Sequence, residues 1–214
     1  MLYLLMTLTP DSLQTIYWIV FAVPSLLLAS TVHEYAHGYM ANKLGDPTAK
    51  LSGRLTLNPF PHIDPVGAIC MILFKFGWSK PVPIDERNFP YEKRTTYTAL
   101  TALAGPLSNF ILFLIIALVN KLLFIDGLLF LGLYTFAQTN LVLAVFNLIP
   151  IPPLDGHKII RGILPKSLQY YWESLERYQF ILIIILIVPF FNSTSFASLI
   201  ISNVVTKLLV FFGF

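Results

Sequence analysis

Apolar residues gather along the chain into long runs separated by short polar stretches. The runs at about 13–36, 98–119 and 128–149 are each long enough to cross a bilayer, which takes roughly 20 residues of helix. Two further runs, 178–191 and 196–214, are less regular. The first is short and broken by Pro189, and the second, which follows NSTS, suits either a span or the interface. Between the first two spans, LSGRLTL at 51–57 alternates with the period of a strand. VGAICMILFKFGW at 66–78 is apolar but too short to span, contains Lys75 and is flanked by Pro65 and Pro81; it is expected to form a re-entrant or interfacial strand paired with 51–57. The pattern predicts an all-α polytopic membrane protein with a three-helix core, one or two further C-terminal membrane segments and a small β-hairpin at about 50–80. Residues 1–214 read as one domain, with its core at about 13–160 and accessory segments at 165–214.

Composition agrees: 56% of residues are hydrophobic, 12% are charged and the mean hydropathy is +0.73, outside the range of soluble globular domains. The formal charge of +3 comes from residues beside the spans, so nucleic-acid binding has no support. The single cysteine, Cys70, excludes an internal disulfide and reads as a small buried apolar residue. MLYLLMTLTPDS lacks a basic region ahead of its apolar stretch and is expected to belong to the mature chain. Of the 14 Lys and Arg residues, eight lie between the first and second spans and four, Lys158, Arg161, Lys166 and Arg177, follow the third. Basic residues favour the cytoplasmic side, which predicts a multi-pass protein with its N-terminus outside and segments 42–97 and 150–177 inside. The 66–78 run must then stay on one side.

The chemistry begins where the first run meets polar residues. TVHEYAHGYM, residues 31–40, contains His33, Glu34 and His37 in the spacing HExxH. On a helix, residues four apart share a face, so two imidazoles can hold one zinc ion while Glu34 reaches a water beside it. Ionisable groups inside a span are costly and mark function; histidines that merely satisfy a bundle would leave Glu34 unexplained. Gly45, ahead of Asp46 and Pro47, is a helix stop. At 1.5 Å per residue His37 and His33 then lie about 12 and 18 Å from the cytoplasmic end, in that half of the bilayer. Pro24 predicts a kink upstream.

A catalytic zinc site keeps three protein ligands and one open position. The third span ends in NLIPIPPLDG, residues 147–156, where three prolines break the helix near the depth of the histidines and bring Asp155 towards them. Asp64 and His62, in HIDP, are the competing candidates, although a proline-bounded aspartate more commonly serves a turn. Asn147 lies close to Asp155 in the chain and is expected to bind substrate. Asn109, deep in the second span, is a candidate donor to a substrate carbonyl, and Asn140 a candidate for an interhelical hydrogen bond. Gly105 and Pro106 allow helices to approach or bend.

Three motifs in order, HEYAHG, AGPLSN and NLIPIPPLDG, resemble the site-2 protease family of intramembrane zinc metalloproteases, and GRLTLNP, HIDPVG and FGWSKPVP resemble its compact subgroup without PDZ or nucleotide-sensing domains. The resemblance covers about 25–160. It implies one Zn2+ per chain held by His33, His37 and Asp155, with Glu34 as the catalytic glutamate and Asn147 at the site. It further implies a bacterial plasma membrane and a transmembrane protein substrate within the lipid bilayer. Residues 165–214 match no signature.

The expected activity is therefore hydrolysis of a peptide bond within or near a transmembrane segment, the substrate being received by strand addition to the predicted hairpin. A metal transporter or metal-binding membrane protein is the alternative from another class; it would need neither Glu34 as a base nor an open coordination position. A non-catalytic membrane adaptor leaves the hydrolytic residues unexplained. A third alternative keeps zinc proteolysis on the fold of the prenyl-protein endopeptidases, with Glu173 or Glu176 in place of Asp155.

Overall fold

The computed structural model of the protein describes residues 10–74, 77–189 and 194–214. Helix α1 (Pro10–Tyr17) passes through a π turn (Trp18–Ala22) into α2 (Val23–Lys43), and together they provide the first candidate span, Leu13–Lys43. The wide turn has a cause in Pro24, whose ring would crowd the carbonyl four residues behind. The Val23 N–H reaches back to Trp18 O instead, so the predicted kink is taken up as a π turn. Gly45 ends the helix with φ 111°, as its place before Asp46 and Pro47 predicts.

The connection to the second span departs from expectation. It holds one short helix, α3 (Thr48–Leu51), then α4 (Pro65–Phe74), then an extended stretch joined to residue 63 by a single antiparallel bridge, Ile63 to Ser79. Among the described residues, the β-hairpin expected at about 50–80 is not formed. Residues 52–57 are turn, irregular chain and bend, and most of the apolar run predicted as the second strand is helical; its residues 75 and 76 lie outside the described residues. The physical reason is local. Asp64 caps the helix by accepting the Gly67 N–H at 2.8 Å, and Pro65 sits where its missing N–H costs nothing. A continuous apolar run carries no period that would separate helix from strand. Val66 and Ile69 on α4 and Phe60 ahead of it remain exposed, a surface suited to the membrane interface.

The second and third spans are α5 (Arg94–Leu123), entered through the 3-10 turn Tyr91–Lys93, and α6 (Gly127–Asn147). On α5 the exposed row Leu100, Leu103, Leu107, Ile111, Ile115 and Leu118 follows helical spacing, while Thr98, Thr101, Gly105, Asn109 and Phe113 are buried on the other side. Apolar outside with small and polar inside is the arrangement of a helix solvated by lipid. This central helix packs against α2, α6 and α7 (Asp155–Ile163). The crossing with α7 is close because position 162 is glycine: a Cβ there would lie 2.3 Å from the Ala99 Cβ.

Beyond α7, the chain forms α8 (Lys166–Glu173), a 3-10 turn (Ser174–Tyr178), α9 (Gln179–Ile187) and α10 (Phe196–Phe211). Neither α9, with 9 residues, nor α10, with 16, has the length of a span. Both are integral to the packing. Val205 and Leu209 of α10 close a core with Phe113, Ile116, Ala137 and Leu141, while Leu186 of α9 and Ala197 pack on Ile149 and Leu154 of the proline-broken loop. The C-terminal segment, which the motifs left without a role, thus backs the loop that delivers Asp155.

Candidate metal centre

His33 and His37 project from one face of α2, with ring centroids 4.5 Å apart and planes at 88°. Asp155, at the start of α7, meets both: its Oδ2 lies 3.1 Å from His33 Nε2 and 3.3 Å from His37 Nε2. The three ligand atoms lie within 4.8 Å of one another. Among the described residues this is the grouping of His, Cys, Asp and Glu side chains with the geometry to hold an ion.

The far side of each imidazole is tethered. His33 Nδ1 donates to Asn109 Oδ1 at 2.6 Å, and His37 Nδ1 donates to the Thr101 carbonyl at 2.7 Å. With both Nδ1 protons committed, both Nε2 lone pairs face Asp155, the tautomer a metal ligand requires. Two imidazole nitrogens and a carboxylate with an open fourth direction suit zinc in its catalytic form. Gly105 makes the approach possible, since a Cβ there would fall 2.4 Å from His37 Nε2 and 2.7 Å from His33 Cε1. Small residues in membrane helices serve such close approaches.

Asp155 is delivered by backbone geometry. After α6 ends at Asn147, the Ile151 N–H bonds to Ile149 O at 2.8 Å and the Leu154 N–H to Ile151 O at 2.9 Å, folding the proline-rich stretch into consecutive tight turns. Gly156 leaves room for the turn: a Cβ there would be 2.3 Å from Leu148 O. His157 then locks α7 to α8. Its ring stacks on Trp172 at 5.2 Å, its Nε2 donates to Trp172 O, and Trp172 Nε1 donates to His157 O at 2.9 Å.

The competing ligands are engaged elsewhere. Asp64 caps α4, and His62 Nε2 donates to Thr56 O at 2.9 Å. Glu173 pairs with Arg161 at 3.5 Å and Glu176 lies 3.7 Å from His157 Nδ1, so neither joins the histidine pair. Glu34 is buried beside the site, with Oε2 accepting the Val82 N–H at 2.8 Å and Oε1 the Ser79 hydroxyl at 3.3 Å. Asn147 lines the same cavity and donates to Leu143 O at 3.0 Å.

Asn109 lies behind His33. It is fully buried, and its amide hydrogens go to Ala29 O at 3.0 Å and Asn140 Oδ1 at 2.9 Å while its oxygen holds His33. Both amide hydrogens and the amide oxygen are thus engaged within the bundle. Asn140 makes the interhelical bond expected of it and is fixed in turn by donating to Phe136 O. The Thr101 carbonyl went unrecognised, because a main-chain acceptor leaves no trace in residue type.

His33, Glu34, His37, Asn147 and Asp155 line a cavity of about 1130 Å³. Val23, Leu26 and Leu27 of α2 form one wall and Phe180, Ile183 and Ile187 of α9 another, with the extended stretch 77–84 along its edge.

Two buried histidines, a half-buried aspartate and an adjacent glutamate in a helical membrane bundle suit a membrane metalloprotein, and the comparisons give the family. A profile described as Peptidase family M50 matches residues 127–189. "Putative zinc metalloprotease YwhC" of Bacillus subtilis is 40% identical over 177 residues, covering 78% of this chain and 80% of that protein. "Zinc metalloprotease MJ0392" of Methanocaldococcus jannaschii is 32% identical over 157 residues, covering 73% of this chain and 38% of that protein. No solved structure matches the chain. The chain belongs to peptidase family M50, the site-2 proteases; it is a multi-pass membrane zinc metalloprotease and its cofactor is Zn2+.

Proposed function

We propose that the protein hydrolyses a peptide bond within or near a transmembrane segment of a membrane-protein substrate, with zinc held by His33, His37 and Asp155 and Glu34 as general base. The observation that carries this reading is the convergence of three ligand atoms within 4.8 Å, both histidines tethered at Nδ1, next to a buried glutamate. Zinc, when bound there, supplies Lewis acidity that acidifies water and polarises a peptide carbonyl. Glu34 takes the proton of the attacking water and passes it to the leaving amine, a contribution of about 10²- to 10⁴-fold. Asn147 is the side chain on the cavity wall for binding the substrate backbone. The apolar walls from α2 and α9 match the side chains of a transmembrane segment, which must unwind before its carbonyls can be attacked. The basic residues at 42–97 and 150–177 support a plasma-membrane topology with the N-terminus outside and the site in the cytoplasmic half.

The test uses wild type, Glu34→Gln and Asp155→Ala purified in detergent, with zinc stoichiometry and cleavage of a reporter transmembrane substrate as readouts. Glu34→Gln is expected to keep zinc and lose cleavage, and Asp155→Ala to lose both. Cleavage by Glu34→Gln at the wild-type rate overturns the assignment, and zinc bound without cleavage by any form, including wild type, favours a metal-binding or transport role.

A further inference from the structure

The stretch Trp78–Pro83, WSKPVP, is the least explained part of the cavity edge. Its backbone donors are few. The Lys80 N–H is spent on His62 O at 2.8 Å, and Pro81 and Pro83 have none, so across residues 80–83 the Val82 N–H is the donor left to face the cavity. That N–H goes to Glu34 Oε2 at 2.8 Å. The prolines on either side hold the backbone extended and keep competing donors away.

The strap is anchored along its length. Arg54 Nη2 donates to Lys80 O at 2.7 Å and Pro81 O at 3.3 Å. Ser79 bridges Ile63, and the Trp78 carbonyl lies against position 67, where a Cβ would approach it to 2.2 Å. The Asp85 N–H is accepted by Asp46 at 2.8 Å. The buried Val82 side chain seats at Gly38, one turn beyond Glu34 on α2, where a Cβ would stand 3.3 Å from Val82 Cγ2. The same residue therefore fixes the strap to α2 by its side chain and reaches the carboxylate by its N–H.

We propose that this proline-bracketed strap positions the general base: the Val82 N–H holds Glu34 Oε2, which leaves Oε1 as the oxygen that takes the proton from water. This rests on the reading of Glu34 as general base. A charge-assisted bond from a rigid backbone fixes one carboxylate oxygen, whereas the 3.3 Å contact from Ser79 Oγ to Oε1 is long and readily exchanged for a water. Ser79 steadies Oε1 before the water arrives, so both act as positioning residues. A carboxylate turned by about an ångström in a dry site loses much of its rate advantage.

The experiment replaces the residue 82 amide by an ester, incorporating the hydroxy-acid analogue of valine by nonsense suppression. This keeps the side chain and removes the N–H. We expect kcat on a reporter transmembrane substrate to fall about 10- to 100-fold, with KM and zinc stoichiometry unchanged. Val82→Pro, which also removes the N–H, should lose at least as much; should it fail to fold, the ester variant decides. Ser79→Ala should lose about 3- to 10-fold in kcat, with Ser79→Thr restoring most of it. An ester variant within threefold of wild-type kcat overturns the proposal, as does loss of zinc together with cleavage, which would make the strap part of the metal site's scaffold. Failure of the parent reading looks different: Glu34→Gln would then cleave as wild type does.

Discussion

Gly105 and His37 meet across the interface of α5 and α2 with no room for a methyl group, a Cβ at 105 falling 2.4 Å from the ligand nitrogen. The glycine is thus part of the metal centre without offering it any atom. Gly105→Ala must push α5 outward or swing both rings. We expect less than a tenth of wild-type zinc occupancy and no measurable cleavage, while the protein still inserts and purifies; metal analysis of the purified variant checks this.

Asn109 acts through His33. Replacing it by alanine leaves the His33 Nδ1–H without its acceptor and removes the link to Asn140. Loss of such an outer partner typically costs 10- to 100-fold in metal affinity or activity. Asn109→Ala should therefore weaken zinc binding about 10- to 100-fold, measured by competition with a chromophoric chelator. Asn109→Asp, which keeps the acceptor, should recover part of the affinity.

Metal removal offers a separate check. Chelation should abolish cleavage, and stoichiometric Zn2+ should restore it. Held by His33, His37 and Asp155 as proposed, the ion would tie α2 to α7, and binding to the folded state should raise thermal stability by about 2.7 kcal/mol at a free zinc concentration 100-fold above Kd. A chelated sample that melts at the same temperature as the loaded protein would contradict the bridging role.

Asp46 predicts a pH effect away from the spans. Burial alone would raise its pKa, but hydrogen bonds from the Thr48 side chain, Asn88 and the backbone of Asp85 and Thr48 outweigh burial and hold the carboxyl below its ordinary 3.8. A folded-state pKa below the unfolded value stabilises the protein above about pH 4, and that stability is lost as pH falls further. Asp46→Asn turns an amide against the Asp85 N–H and should cost about 1–3 kcal/mol near neutrality. The gap between wild type and variant, followed by thermal melting, should stay constant above about pH 5 and shrink below pH 4.

The hydrophobic pattern determined the class of this protein and the places of its three spans, because lipid demands continuous apolar helix; the first two helices run on past their apolar runs, to Lys43 and from Tyr91 to Leu123. HExxH and the proline-broken end of the third span determined which side chains could meet, since helical spacing puts His33 and His37 on one face and prolines dictate where Asp155 leaves the helix. Tertiary structure decided what depends on neighbours. An apolar run without a period became the helix Pro65–Phe74 once Asp64 capped it, so the expected hairpin did not form. The amide of Asn109 found Ala29, Asn140 and His33 as partners, three contacts that its place in the second span does not announce. The short C-terminal helices, which carry no motif, gained their place by packing on Ile149 and Leu154. The partner of Glu34 Oε2 is a backbone N–H and that of His37 Nδ1 a backbone carbonyl; every residue except proline carries both, so only the folded chain selects which ones meet the site.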